Sequence, residues 1–368
     1  MKVGIVDRNL NICGGRELLT ASIIDCLRKL RCETLLLSSK KFDASLIKRN
    51  FGLDLLVNDE ILLPVDFPRM PYFMTVYWKL FLPSLLRNKC NLILDAFSNL
   101  LLPFVNVTYF HSFGEIGSLT PQHYITPRFL HPSQWLNFLF QKTLSFKSQK
   151  LILANSNFTA TGIHNLLGVR PIVIYPPVNT SVFNSISRNS KENIVLTISR
   201  FSHEKNLEML PKIAHKTAAK FIMFGSVYNE ETLAGYRKIK KLIKQYGMND
   251  KVKVFANVSF SEKLNLLGRS KVYLHTMEFE DFGISIAEGM AASCIPIVHD
   301  SGGPREFVPK EWRYDNPESA SQKIEEALAK WTPKVGKKMN ETAMQFSAAE
   351  FSINFSTCFQ NYLASLYK

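Results

Sequence analysis

Between His275 and Glu306 the chain runs through an apolar strand end, an acidic turn, a helix of small residues, a second apolar strand and a glycine turn, in that order. This succession limits the fold more than any other stretch. Gly283 follows Asp281 and Phe282 in the first turn and lets the backbone approach a neighbour closely. The run from Ala287 to Ser293 reads as a helix, Ile295 to Val298 as a short strand, and Ser301 to Pro304 as the next turn. Alternation of this kind predicts a doubly wound α/β arrangement with ligand-facing loops at the strand ends. The amides opening the helix after Gly283 are suited to a polar or anionic ligand. Two carboxylates, Glu280 and Glu288, flank that opening; the plainer reading makes one a solvated loop acid and the other a surface helix acid.

The rest of the chain repeats the pattern. Strand-like runs occur at 3–6, 33–37, 53–57, 92–94, 105–109, 151–154, 173–175, 194–199, 220–225 and 252–255, and a last one at 271–275 leads into the acidic turn. Helical stretches separate them, as a largely parallel sheet requires. The first run leads to Gly14-Gly15, opening onto a helix from about Glu17 to Leu30 whose apolar face holds Leu18, Ile23, Leu27 and Leu30. Such a turn can receive a phosphate, or can simply connect two elements. His111 stands at the end of the 105–109 run, the edge where open α/β sheets place their ligands. Arg200 and Lys205 follow the 194–199 run, where two cations can converge on one diphosphate. Ser, Asn and charged residues replace the apolar pattern at about 176–192, which is the expected linker.

At 368 residues there is length for two domains. With 46% hydrophobic and 21% charged residues the composition is that of a globular protein. Lys and Arg total 45 against 31 Asp and Glu, a formal net charge of +14, so an anionic partner is expected: a sugar nucleotide, a membrane surface or nucleic acid. The last of these is disfavoured, because no nucleic-acid-binding motif or dense basic tract stands out. The six cysteines are scattered without metal-ligand spacing, as free thiols of a reducing compartment would be. The chain enters a strand at once, leaving no room for a signal peptide, and no apolar run reaches the roughly 20 residues of a bilayer span. A cytoplasmic protein, peripheral on the membrane if attached to it, is expected. Two stretches, 67–89 and 128–150, interleave aromatic and basic residues in a way that suits a membrane interface, or equally core helices with a basic outer face.

Glu280, seven residues, Glu288, with Phe282-Gly283 between and Gly302-Gly303-Pro304 downstream, resembles the E-x7-E signature of the family 4 retaining glycosyltransferases. The branch it is most similar to contains the mannosyltransferases of lipid-linked oligosaccharide assembly. The resemblance implies the GT-B fold: an acceptor-side Rossmann-like domain at 1–178, a sugar-nucleotide-binding one at 179–345, and a C-terminal helix, 346–368, crossing back to the first. It implies a retaining hexosyl transfer, with mannose from GDP-mannose the favoured donor, to a lipid-linked or other glycan acceptor. The net charge of +14 and the stretches 67–89 and 128–150 suggest that the first domain meets that acceptor on an anionic membrane. By the same resemblance, Arg200 and Lys205 bind the donor phosphates, and Gly14 and Gly15 close over the diphosphate. Glu280 and the amides of Phe282, Gly283 and Ile284 meet the sugar, Glu288 meets the ribose, and His111 lies at the sugar and the reaction centre. No metal or other cofactor is expected, although Glu278, Glu280 and Asp281 leave a metal site as an alternative. A sugar-nucleotide epimerase of the same fold and a basic nucleic-acid-binding protein are the other readings.

Overall fold

In the computed structural model, residues 1–63, 78–114, 116, 132–146, 150–186 and 189–366 are described. The expected stretches 67–89 and 128–150 therefore lie partly outside the described residues. The chain divides into two compact units, Met1–Pro177 with Ala348–Lys368, and Val178–Ser347.

The first unit is built on a seven-stranded parallel sheet in the order β3-β2-β1-β4-β5-β6-β7. Its strands are β1 (Lys2–Val6), β2 (Glu33–Ser38), β3 (Asp59–Leu62), β4 (Leu92–Asp95), β5 (Val107–Phe110), β6 (Leu151–Ala154) and β7 (Ile172–Val173). The central runs are apolar without alternation because both faces of a parallel sheet are covered. The expected strand at 53–57 is not one: those residues carry no regular secondary structure, and the more polar Asp59–Leu62 forms the edge strand instead.

The C-terminal helix Ala348–Leu366 belongs to this unit. It buries Phe351, Phe355, Phe359 and Tyr362 along one stripe against Ile23, Ile24 and Leu27 of the helix Gly15–Lys29 and the strands beneath. The three phenylalanine rings stack at 5.8 Å intervals. Burying each such side chain is worth roughly 1.5–3 kcal/mol.

The second unit carries six parallel strands in the order β10-β9-β8-β11-β12-β13. They are β8 (Glu192–Ile198), β9 (Lys220–Gly225), β10 (Val252–Ala256), β11 (Ser270–Leu274), β12 (Ile295–His299) and β13 (Arg313–Tyr314). The order reverses direction between β8 and β11, which opens a crevice at their C-terminal ends. The stretch expected as a linker contains a helix, Thr180–Ser185, seated by Phe183, which is 2% exposed. The two ends of this unit are joined: Val178 N–H donates to Phe346 O at 2.7 Å, and Val178 pairs with Ser347 in a parallel bridge.

Candidate functional site

In the second unit β11 runs into buried His275 and Thr276, and the loop 277–283 then carries the acidic turn to the helix Ile284–Ala291. Two glycines hold that loop in place. A side chain on Gly302, whose φ is +69°, would come within 2.3 Å of the Glu280 carbonyl, and one on Gly303 within 2.0 Å of the Asp281 carbonyl. With no Cβ in the way, Gly303 N–H reaches Glu280 O at 2.9 Å, while Ser301 Oγ accepts from Phe279 N–H at 2.8 Å. The paired glycines of the sequence are thus the floor on which the acidic loop rests.

Glu280 is the hub of the site. Its Oε2 accepts from Lys205 Nζ at 2.7 Å and from His275 Nε2 at 2.9 Å. Burial by itself would raise this carboxyl, but the charge of Lys205 and the bond from His275 more than reverse that and hold it well below the usual carboxylate range. Thr276 Oγ donates to Lys205 O at 2.7 Å and so fastens the 203–205 turn to the same loop. Arg200 goes elsewhere. It is 54% exposed and pairs with Glu204 at 3.2 Å. The two cations expected at one diphosphate thus each have a carboxylate partner, Glu204 for Arg200 and Glu280 for Lys205.

Past Gly283, whose φ is +89°, the helix Ile284–Ala291 starts with no side-chain cap. Its first amides are left to the backbone or to a ligand. Phe282 turns its ring into the interior, 5.3 Å from Phe307 and 5.0 Å from Phe346, so what it offers to a ligand is main chain. Ile284 is half-buried at the opening. One turn further on, Glu288 meets Lys263, whose Nζ lies 2.7 Å from both carboxylate oxygens. Lys263 also stands over the Phe183 ring at 5.3 Å. Nothing in the sequence singled it out, because its partner is 25 residues away on another helix. Behind this pair, buried Lys191 donates from Nζ to Leu267 O and Ser270 O at 2.9 Å and to Ala292 O at 2.5 Å. One ammonium thereby ties together the C-terminal ends of the helices Phe260–Arg269 and Ile284–Ala291, where a cation is favoured. Among the described residues no three His, Cys, Asp or Glu side chains gather as a metal site.

The first unit presents its own cluster at the C-terminal strand ends. His111 follows β5, and its Nε2 lies 2.9 Å from Ala96 O; a carbonyl only accepts, so Nε2 carries the hydrogen. Its amide donates to Asn99 Oδ1 at 2.8 Å and its carbonyl accepts from Asn155. Burial, reinforced by the positive charge of Arg16, lowers this imidazole to about 4. Sequence reasoning missed the groups around it. Asp7, after β1, accepts from Thr20 at 2.8 Å, and Asp95, ending β4, accepts from Ser98 and from the amides of Phe97 and Ser98. Burial raises both carboxyls to about 6. Gly14 caps the helix Gly15–Lys29, but Glu17 already accepts the Gly14 N–H at 3.0 Å and pairs with Arg16. A phosphate at that turn would have to displace the Glu17 carboxylate.

Residues 179–346 match the family of glycosyl transferases group 1. Over that stretch the chain is similar to group 1 glycosyl transferases. The loop with Glu280, Glu288 and the uncapped helix lies inside it. Among curated proteins, the GDP-Man:Man(3)GlcNAc(2)-PP-Dol alpha-1,2-mannosyltransferase of Mus musculus is 28% identical over 184 residues, 46% of this chain and 37% of that protein. The Xenopus laevis protein of the same name is 31% identical over 232 residues, 56% of this chain and 47% of its own. The chain thus spans less than half the length of either relative. The sucrose-phosphate synthase of Thermosynechococcus elongatus superposes with a TM-score of 0.76 at 14% identity, covering 99% of this chain and all of that one. That likeness extends the GT-B fold beyond the matched stretch to the chain as a whole.

Proposed function

We propose that the chain is a retaining glycosyltransferase that moves a mannosyl group from GDP-mannose to a lipid-linked glycan. The observation that carries this reading is the placement of Glu280. It is an ionised, nearly buried carboxylate held by Lys205 and His275 beside an uncapped helix N-terminus, within the stretch similar to group 1 glycosyl transferases. A carboxylate so fixed can accept from sugar hydroxyls, while Lys205 and the helix amides offset charge that develops on a departing diphosphate. The Lys205 ammonium has three hydrogens and spends one on Glu280 and one on Met277 Sδ at 3.0 Å, so a phosphate oxygen can take the third without breaking the pair. Arg200 is free to swing from the exposed Glu204 contact to the same diphosphate. Glu288, steadied by Lys263, takes the ribose hydroxyls, and His111 offers the Nδ1 lone pair to the sugar. Positive charge at the leaving group comes from side chains and helix amides, and the proposed reaction needs no metal. The relatives named as dolichol-linked glycan mannosyltransferases support the choice of donor and acceptor.

The proposed acceptor calls for a membrane, and the helix Pro132–Phe146 supports one. It turns Asn137 and Gln141 inward beside Phe138 and Leu144, with Gln141 fully buried against Leu101 main chain, and leaves Trp135, Leu136, Leu139 and Phe140 between 38% and 57% exposed. An apolar face of this kind suits the interfacial zone of a bilayer. The reading is tested by incubating the protein with GDP-mannose or UDP-glucose and a dolichol-linked oligomannosyl acceptor in detergent, with and without EDTA. Mass analysis is expected to find the acceptor heavier by one hexose from GDP-mannose in both conditions. An unchanged acceptor with every donor, or an epimerised donor, would overturn it.

A further inference from the structure

The helix Glu230–Gln245 in the second unit has a feature that neither stability nor the proposed transfer requires. Its inner side buries Thr232, Ile239 and Ile243. Its outer side carries Arg237, Lys240, Lys241 and Lys244, all exposed. At 100° per residue these four fall within one narrow stripe, and each lies three or four positions from two of the others. Four like-charge neighbours in a closed ring weaken a helix, since pairs at these spacings repel. The expected compensation is missing: the helix has acids only in its first turn, at Glu230 and Glu231, and no ion pair reaches any of the four among the described residues. Lys238, to one side, is the member of the run that does find a carboxylate, Glu208 at 2.5 Å. In linear order the tract is broken by Ile239, Leu242 and Ile243, which is why no dense basic run stood out; only winding the segment into a helix gathers its charges.

We propose that this stripe is a docking surface for an anionic membrane, with lipid phosphates as the counter-charges the helix lacks. Charge complementarity argues for this occupant. Three of the four are lysines, flexible point charges suited to a fluid array of headgroups. The ring beside them, Tyr236, packs edge-on against Phe201 at 5.1 Å and has Lys240 over it at 5.4 Å, so it is engaged within the fold and not set out as a platform for bases. The inference shares with the proposed function only the kind of surface involved; it uses a different unit and no residue of the transfer site.

The test compares wild type with Lys240→Gln/Lys241→Gln/Lys244→Gln in co-sedimentation with vesicles of phosphatidylcholine alone and of phosphatidylcholine mixed with phosphatidylserine. The triple variant is expected to lose on the order of a hundredfold in affinity for the mixed vesicles, with the loss shrinking in high salt. Its thermal midpoint should rise, because the ring of repulsion is gone. Transfer to a detergent-dispersed acceptor should be unchanged, so absence of transfer in wild type would count against the proposed function and not against the surface. Equal binding of variant and wild type to the mixed vesicles overturns the inference. So does a loss seen only for a DNA or RNA oligonucleotide and not for lipid.

Discussion

Lys205 Nζ and Glu280 Oε2 stand 2.7 Å apart although 75 residues separate them, and each side chain is only 14% exposed. A pair so shielded holds its geometry and is felt when either half is removed. Glu280→Gln leaves Lys205 without its counter-charge. It is expected to lower stability by about 1–3 kcal/mol near neutral pH and transfer on the order of 10²-fold. Because the folded carboxyl is held below its unfolded value, this stabilisation is complete above the ordinary carboxylate range and fades as pH falls through and below it. Urea midpoints of variant and wild type should therefore converge on acidification; a constant gap would remove the charge pairing from the explanation.

Asp95 works in the opposite sense. Its carboxyl is fully buried and raised to about 6, so the folded state takes up a proton more readily than the unfolded chain. Its contribution is fully present below the unfolded value near 4 and is lost as pH rises through 6. Relative to wild type, Asp95→Asn should gain about 2–3 kcal/mol between pH 4 and pH 8. Denaturation curves at the two pH values measure this directly, and an unchanged difference would place the titration elsewhere.

His111, lowered to about 4, should not protonate between pH 5 and 8. Imidazole resonances followed by NMR should show one histidine fixed as the Nε2–H tautomer across that range, with its nitrogen shifts unmoved. His111→Ala is expected to leave GDP binding nearly intact while reducing transfer. Normal transfer in that variant would take His111 out of the site.

Lys263 grips both oxygens of Glu288. Lys263→Met should loosen that carboxylate and weaken GDP binding about tenfold, whereas Lys263→Arg should recover most of the affinity. Calorimetric titration with GDP distinguishes the outcomes. Equal affinity in Met and wild type would mean that Glu288 needs no steadying.

What the sequence disclosed divides by the range of the interaction. Strand runs such as 194–199 and the turn at Gly283 are local, and their residue types dictate them. The edge strand was misplaced because Asp59–Leu62 is held by pairing with β2 and not by an apolar pattern of its own. Glu280 and Glu288 stood out through their spacing, but their partners His275, Lys205 and Lys263 are chosen by the sheet, which decides which loops meet. Asp7 and Asp95 carry no motif that marks them; burial at adjacent strand ends makes them unusual, and burial is a property of the assembled unit.

The bridge between Val178 and Ser347 means that the second unit enters and leaves the chain at neighbouring points. It is a cassette spliced into a host whose last helix, with its stacked Phe351, Phe355 and Phe359, is synthesised only after the cassette is complete. During translation the guest can finish folding while its host still lacks that row of rings. A premature stop just past residue 347 would spare the late-made half and cripple the half made first.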